Sequence, residues 1–232
     1  MRPHYRCICF ILILSLFSAC IPLPAPSTET IKDNLSLAKP IEKGESILVH
    51  SRSAERPKYF GEPYFSMGCM LDYQVNALDQ LTKYLLKLNP VPGQFAIKSE
   101  EELKGESPTI KFSEPAYDMI EISESMALKE RLRYVIFVTE KIDTTLHLPL
   151  YIIPFGIAEC SNETTLDATV WEVPSGNLIG TMTISSKGDF LGLAWIFHVV
   201  FLPDTQSKAL LLLTQEILKK LTGLAPDEKK RL

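Results

Sequence analysis

The chain has 232 residues, of which 46% are hydrophobic and 22% charged, a balance that fits one globular domain with a real hydrophobic core. Its formal net charge is −4, and basic residues cluster only at Lys229–Arg231. Nucleic acids are bound through clusters of Lys and Arg, so we expect no nucleic-acid partner.

The first nineteen residues have the features of a secretory signal peptide. Two arginines precede an apolar run from Cys7 to Phe17. The alternative is an uncleaved membrane anchor, because the apolar stretch extends through Leu23 to nearly the length that a bilayer requires. Three prolines between residues 22 and 26 argue against a spanning helix, because they remove backbone donors and clash with preceding carbonyls. We predict cleavage, which lowers the net charge to −6.

Small residues precede a cysteine at the predicted cleavage point. The segment Phe17-Ser18-Ala19-Cys20 resembles the lipobox of bacterial lipoproteins, in which a diacylated cysteine becomes the mature amino terminus. The resemblance implies that Cys20 carries the lipid, with palmitate-type acyl chains, and that this lipid holds the protein on a membrane. Ile21 stands where such lipoproteins have Asp when they stay in the inner membrane. The implied location is therefore the outer membrane, facing the periplasm.

Composition divides the chain into four predicted segments. These are a signal peptide at residues 1–19, a flexible tether at 20–44, one globular domain at 45–224 and a charged tail at 225–232. The tether is predicted because Pro, Ser, Thr and charged residues dominate there with little periodicity.

Two cysteines, Cys69 and Cys160, remain in the mature domain. Two thiols in an oxidising compartment favour one disulfide bond between them. The alternative, two separate buried thiols packed as small apolar groups, stays open, because sequence does not show how close the two alpha carbons come.

The first half of the domain alternates short strands with helices. Ile47-Leu48-Val49 is typical of a buried strand. Leucines and a valine recur at intervals of three and four from Leu71 to Leu88, which predicts a helix that ends at Asn89-Pro90. A strand at 94–98, a weaker helical pattern from Tyr117 to Leu128 and a strong strand at 134–139 are then predicted.

The second half is a hairpin followed by a helix. Strands are predicted at 165–173 and 178–184, joined by the turn Pro174-Ser175-Gly176-Asn177. The last helix runs from about Thr205 to Leu221, and Gly223 caps it. The predicted fold class is α+β, an α/β sandwich in which about three helices pack on a mixed sheet that contains a β-hairpin.

This layout resembles periplasmic lipoproteins whose domain is similar to the amino-terminal domain of TolB and to the curli-secretion lipoprotein CsgG. The segment from Ala168 to Leu178 matches their hairpin, and Leu218–Gly223 is similar to the end of their closing helix. The resemblance covers about residues 45 to 224. It implies a binding or assembly module of the envelope and not an enzyme.

No pattern of residues predicts catalysis, a metal site or a cofactor. His50, His147 and His198 lie far apart, without the spacing of metal ligands, and each is interpreted as structural. A nucleophile elbow and a phosphate-binding glycine loop are both absent from the sequence. Glu121 and Glu124 are interpreted as solubilising acids on an exposed helix face.

Two apolar stretches, Leu146–Ala158 and Phe190–Leu202, flank the hairpin and are expected at the same end of the sheet. They are too short to span a membrane as helices. One interpretation is that they fill the core beside the sheet. The other is an apolar patch for a partner or a membrane surface, formed by Trp195, Phe197 and Phe201.

The predicted function is that of a lipid-anchored, non-enzymatic envelope protein that binds or organises other envelope components, with an envelope protein as partner. The alternative is a subunit of an oligomeric secretion channel or pore related to curli-secretion lipoproteins, which requires a closed ring of copies. A hydrolase with an unrecognised site is a third hypothesis.

Overall fold

A computed structural model describes residues 28–37, 39–52, 69–70, 79–106, 108–112, 120–152, 155–173, 175–195, 200–201 and 205–224. Within these ranges a six-stranded mixed sheet carries four helices. The predicted α+β class is therefore confirmed.

The six-stranded sheet has the order β1-β7-β6-β5-β2-β4. Its long strands β5, β6 and β7 form an antiparallel meander, and β2 is parallel to both β4 and β5. A separate two-stranded parallel sheet pairs β3 with β8. The strands are β1 Thr28–Asp33, β2 Glu45–Arg52, β3 Cys69–Met70, β4 Phe95–Lys98, β5 Leu132–Ile152, β6 Phe155–Glu172, β7 Asn177–Trp195 and β8 Val200–Phe201.

Helices cover both faces of the sheet. The two longer ones, α1 (Asp79–Leu88) and α4 (Thr205–Thr222), lie on the first face, and α2 (Glu100–Leu103) and α3 (Glu124–Lys129) lie on the second. Successive residues of a strand point to opposite faces. Alternate residues of β5 accordingly enter two different cores, one under α1 and α4 and one under α2 and α3.

The first core confirms the apolar pattern of α1 and α4. Leu81, Leu85 and Leu88 of α1 are buried there, and Leu71, Val75 and Leu78 of the same predicted stripe lie outside the described residues. The four predicted inward residues of α4 are also buried, and Gly223 has the positive φ (71°) of a helix C-cap. These are Leu210, Leu213, Ile217 and Leu221.

The second core is built around three aromatic rings. Phe112 contacts Phe137 and Trp171 edge to face, with ring centroids 5.7 Å apart in each pair, and Phe137 contacts Trp171 at 6.4 Å. Such edge-to-face pairs add about 0.5 to 1.5 kcal/mol each beyond the burial of area. The rings pack the segment around Phe112 against β5 and β6 in the second core.

The predicted helix from Tyr117 to Leu128 is wrong over part of its length. Helix α3 begins only at Glu124, and residues 113–119 lie outside the described part. Ile120 and Ile122 are buried from an irregular segment, where Ile122 accepts a backbone hydrogen bond from Ile110. Their apolar spacing therefore reflects core packing by a loop and not a helical stripe.

The segment that composition suggests is a tether, residues 20–44, enters the fold at Thr28. Strand β1 pairs with β7, and two residues after it, Leu35 and Ile41, are buried in the first core. Every residue of β1 is exposed, and charges are typical of an edge strand. Its single apolar residue, Ile31, gives no periodicity, which is why the sequence does not predict this strand.

Candidate functional site

Strands β5, β6 and β7 continue well beyond the part of the sheet that their neighbours share. Strand β2 pairs with β5 only as far as Thr139, and β1 pairs with β7 only as far as Lys187. The pairing of β5, β6 and β7 with each other runs on to Ile152, Phe155 and Trp195. We call residues 143–152, 155–163 and 187–195 the arm. At about 3.3 Å per residue the arm is roughly 30 Å long.

One face of the arm changes from polar to apolar along its length. Residues directly opposite each other in an antiparallel pair share a face. We call each set of opposite residues across β5, β6 and β7 a row. Near the base, the rows on this face hold Ser, Thr and charged residues, such as Glu163 opposite Lys187 and Ser161 opposite Asp189. The last two rows are entirely apolar: Leu150, Ile157 and Leu193, then Ile152, Phe155 and Trp195.

The opposite face of the arm's end mixes small and large residues: Tyr151 is opposite Gly156, and Leu146 is opposite Cys160. Its rows pair Gly156 with Ala194 and Ala158 with Gly192. A β-bulge between His147 and Leu150 inserts an extra residue in β5 and keeps Leu150 and Ile152 on the same face as Ile157. The two rows nearest the tip on the first face thus consist of large apolar residues, whereas the rows on the other face also contain glycine and alanine.

The two predicted apolar stretches meet at one end of the sheet, as expected, but they form its strands and do not cover it. Leu146–Ala158 includes the β5–β6 connection, and the β7 end pairs beside it. Of the predicted patch, Trp195 lies opposite Phe155, and Phe201 lies in β8 opposite Met70. Phe197 lies outside the described residues, so the patch of three stays a prediction.

Thr28, the first described residue after the predicted lipid site, lies at the base of the arm. Thr28 is opposite Lys187, and β1 is antiparallel to β7. Cys20 itself is outside the described residues. The eight residue steps from Cys20 to Thr28 span at most about 28 Å, which matches the length of β7 from Lys187 to Trp195.

The two cysteines of the predicted disulfide lie in different sheets. Cys69 is in β3 of the small sheet, opposite Val200. Cys160 is in the arm, where it lies opposite Leu146 and Phe190. The disulfide bond stays a prediction.

A buried polar cluster fastens the base of the arm to the start of α4. Glu140 is 5% exposed, and its carboxylate accepts a 2.8 Å hydrogen bond from the side-chain amide of Gln206. Burial raises the pKa of Glu140, and the bond from Gln206 only partly offsets this. Thr164 and Thr205 are hydrogen-bonded at 2.9 Å, and the buried hydroxyl of Ser186, opposite Thr164, has no hydrogen-bond partner among the described residues. The sequence gives no signal for this cluster, because Glu140 has polar neighbours, Thr139 and Lys141, as an exposed acid usually has.

The titratable residues that the sequence singles out do not come together. His50 pairs with Glu100 and contacts the edge of Phe137, whereas His147 lies in the arm opposite Glu159. His198 is outside the described residues. In the described ranges no group of three or more His, Cys, Asp or Glu residues has an arrangement that could hold a metal ion.

Glu121 and Glu124 are both exposed, but the prediction that they share a helix face is wrong. Glu121 precedes α3, and Glu124 is the first residue of that helix. The physical reason is that Ile120 and Ile122 pack inward from an irregular segment. Among all helices in the described residues, none is long and apolar enough to cross a membrane.

Comparisons with known proteins give weak likenesses only. No family model matches the chain, and no curated protein matches it. The PelC dodecamer of Paraburkholderia phytofirmans has a TM-score of 0.38 and 12% identity, covering 84% of this chain and 98% of the PelC chain. A neuraminyllactose-binding hemagglutinin homolog from Helicobacter pylori has a TM-score of 0.42 and 12% identity, covering 84% and 92%. Likenesses of this strength carry no argument about function.

Proposed function

We propose that the chain is a lipid-anchored, non-enzymatic protein of the bacterial outer membrane that faces the periplasm and binds or organises other envelope components. In this proposal the end of the arm contacts the membrane that holds the lipid. The observation that carries it is the change along one face of the arm, from charged rows at the base to the two apolar rows at the end. Large apolar surfaces on proteins mark contact sites.

The position of the predicted lipid supports the same arrangement. The chain between Cys20 and Thr28 is long enough to run beside the arm to its end. A lipid on Cys20 and the residues around Trp195 are then within reach of one bilayer surface. Lipid and arm would hold the protein at two points, which fixes its orientation as well as its location.

Burial of the arm's end in the membrane would stabilise this contact. Each large apolar side chain moved from water to apolar surroundings contributes about 1.5 to 3 kcal/mol. Trp side chains favour the membrane–water interface, because the ring is apolar and its N–H is polar. The opposite end of the sheet, where β2, β4 and β5 begin, then points away from the membrane and is available to an envelope component.

A direct test compares the wild-type full chain with Cys20→Ala in a bacterium. The wild type is expected to lose residues 1–19, gain the mass of acyl chains and sediment with the outer membrane. Cys20→Ala is expected to gain no acyl mass. If both proteins have the same mass and the same partition, the lipid anchor is refuted.

The second candidate, a subunit of an oligomeric secretion channel, is favoured by the edges of the arm. Within the described residues, β6 is the only strand that pairs with β5 beyond Thr139 or with β7 beyond Lys187, so the outer edge of each strand has no partner strand there. Unpaired strand edges are templates for pairing with another chain, and head-to-tail pairing of copies closes into a ring. A detergent-solubilised mass of many copies would support the channel, and a monomer mass would contradict it.

A further inference from the structure

A cavity of about 390 Å³ lies at the end of the sheet opposite to the arm. Its volume is in the range of small-molecule sites, about 300 to 1,000 Å³. The floor is apolar and consists of Ile110, Ala127, Leu132 and Val173, which are all largely buried. The exposed side chain of Leu128 stands at the wall.

Arg131, at the mouth of this cavity, has an unusual backbone conformation. It follows the last turn of α3, its N–H bonds to the carbonyl of Leu128 at 3.1 Å, and its φ is +49°. This helix-ending position is most often Gly, because a Cβ is strained there. Among the described residues other than glycine, Arg131 alone has a positive φ. An arginine thus occupies a place where a glycine would fit with less strain.

The guanidinium of Arg131 has space around it and is available to bind a ligand. A Cβ on Gly44 would lie 2.9 Å from its Nη1, so the guanidinium lies over the open side of this glycine. Nη1 donates one long hydrogen bond, 3.4 Å, to the carbonyl of Lys43, and Arg131 forms no ion pair with another described residue. Arg133, the other cation of the cavity, is already paired with Glu172 at 2.7 Å.

The cavity also holds carboxylates. Glu124 lines it and forms no ion pair with the part of the chain that the structure describes. Glu45 lines it too, and its Oε2 accepts a 2.7 Å hydrogen bond from the backbone N–H of Glu42. An apolar cavity with one available guanidinium and one available carboxylate is complementary to a ligand that carries both charges and an apolar group.

We propose that this cavity binds a zwitterionic amino acid or dipeptide with an apolar side chain. Arg131 holds the carboxylate, Glu124 with Glu45 attracts the ammonium group, and the side chain lies on the apolar floor. This site goes beyond the proposed function and does not depend on the lipid or on the arm.

Calorimetry on the full chain in detergent tests the ligand class. The probes are leucine and leucyl-leucine, with N-acetyl-leucine, which lacks the ammonium group, and leucinamide, which lacks the carboxylate. At least one of the first two is expected to bind, and each single-charge analogue at least tenfold more weakly. If neither zwitterion binds, or if leucinamide binds as well as leucine, the proposal is overturned.

Two variants test the assigned roles. Arg131→Gly relieves the backbone strain, so it should weaken leucine binding at least tenfold without lowering the melting temperature. Glu124→Gln should weaken the binding of leucine but not that of N-acetyl-leucine. Lys104→Gln removes a positive charge from an exposed pair with Glu101 and serves as the control. An equal loss in Arg131→Gly and Lys104→Gln would contradict a specific role for Arg131.

Discussion

Strands β5, β6 and β7 have different neighbours in the helix-covered part of the sheet and in the arm. Between the helices, alternate residues of β5 are buried in two cores, Ile136 and Val138 on one face and Val135 and Phe137 on the other. In the arm, β5, β6 and β7 keep their ladder but lose the neighbours β1 and β2. Backbone pairing therefore carries the sheet past the strands that flank it in the core.

The largest expected effect is a loss of stability when a residue is truncated in the helix-covered part of the sheet. Leu85 of α1 is fully buried, and its neighbour Leu86 is 55% exposed. Leu85→Ala should lower the free energy of unfolding by about 2 to 5 kcal/mol, because it leaves a cavity in the first core. Leu86→Ala, the matched control, should cost less than about 0.5 kcal/mol. Urea unfolding measures both, and equal losses would show that the assigned core is wrong.

A smaller effect is expected in the arm, and on membrane binding instead of stability. Leu193→Asp places a charge in an apolar row of the arm's end, whereas Ser161→Asp places one in a polar row of the same face. Loss of one large apolar contact, about 1.5 to 3 kcal/mol, corresponds to a 10- to 100-fold weaker vesicle binding. Flotation with phosphatidylethanolamine and phosphatidylglycerol vesicles should show this loss for Leu193→Asp only. If the two variants float alike, the two ends of the arm do not differ as proposed.

The smallest effect, a change of stability with pH, is expected at Glu140, where the helix-covered part of the sheet joins the arm. Burial raises the pKa of Glu140 above its ordinary value of 4.5, so the folded protein holds this proton more tightly than the unfolded chain. Stability from this group is therefore full below about pH 4.5 and is lost as pH rises through the raised pKa. Glu140→Gln keeps an oxygen for the bond from Gln206 and should remove this loss. The stability difference between variant and wild type should grow from pH 4 to pH 8 in thermal melts, and a constant difference would contradict the burial of a charge.

Sequence periodicity predicts the covered part well and the arm poorly, for a physical reason. In α4, burial against the sheet requires apolar residues at helical intervals, and these are visible as Leu210, Leu213 and Ile217. At the start of the arm the strands continue through Thr144, Asn162 and Gly188, which have no apolar pattern because backbone hydrogen bonds hold them. The predicted strand at 134–139 accordingly covers only part of β5.

The cavity at Arg131 was beyond prediction for a different reason. Its lining comes from separate segments around Glu45, Ile110, Arg131 and Val173, which only the fold brings together. A positive φ at an arginine has no sequence signal, since glycine is the residue expected there. The patch of Trp195, Phe197 and Phe201 follows from composition alone and stays a prediction.

The two tryptophans of the chain offer the most direct test of membrane contact by the arm. Trp171 is fully buried in the second core, and Trp195 lies in the last row of the arm. The lipidated protein is placed in vesicles that contain brominated lipids, which quench nearby tryptophan fluorescence. Trp171→Phe leaves only Trp195, and its fluorescence should be quenched; Trp195→Phe leaves only Trp171, which should be unaffected. Equal fluorescence of both variants with and without bromine would contradict contact between the arm and the membrane.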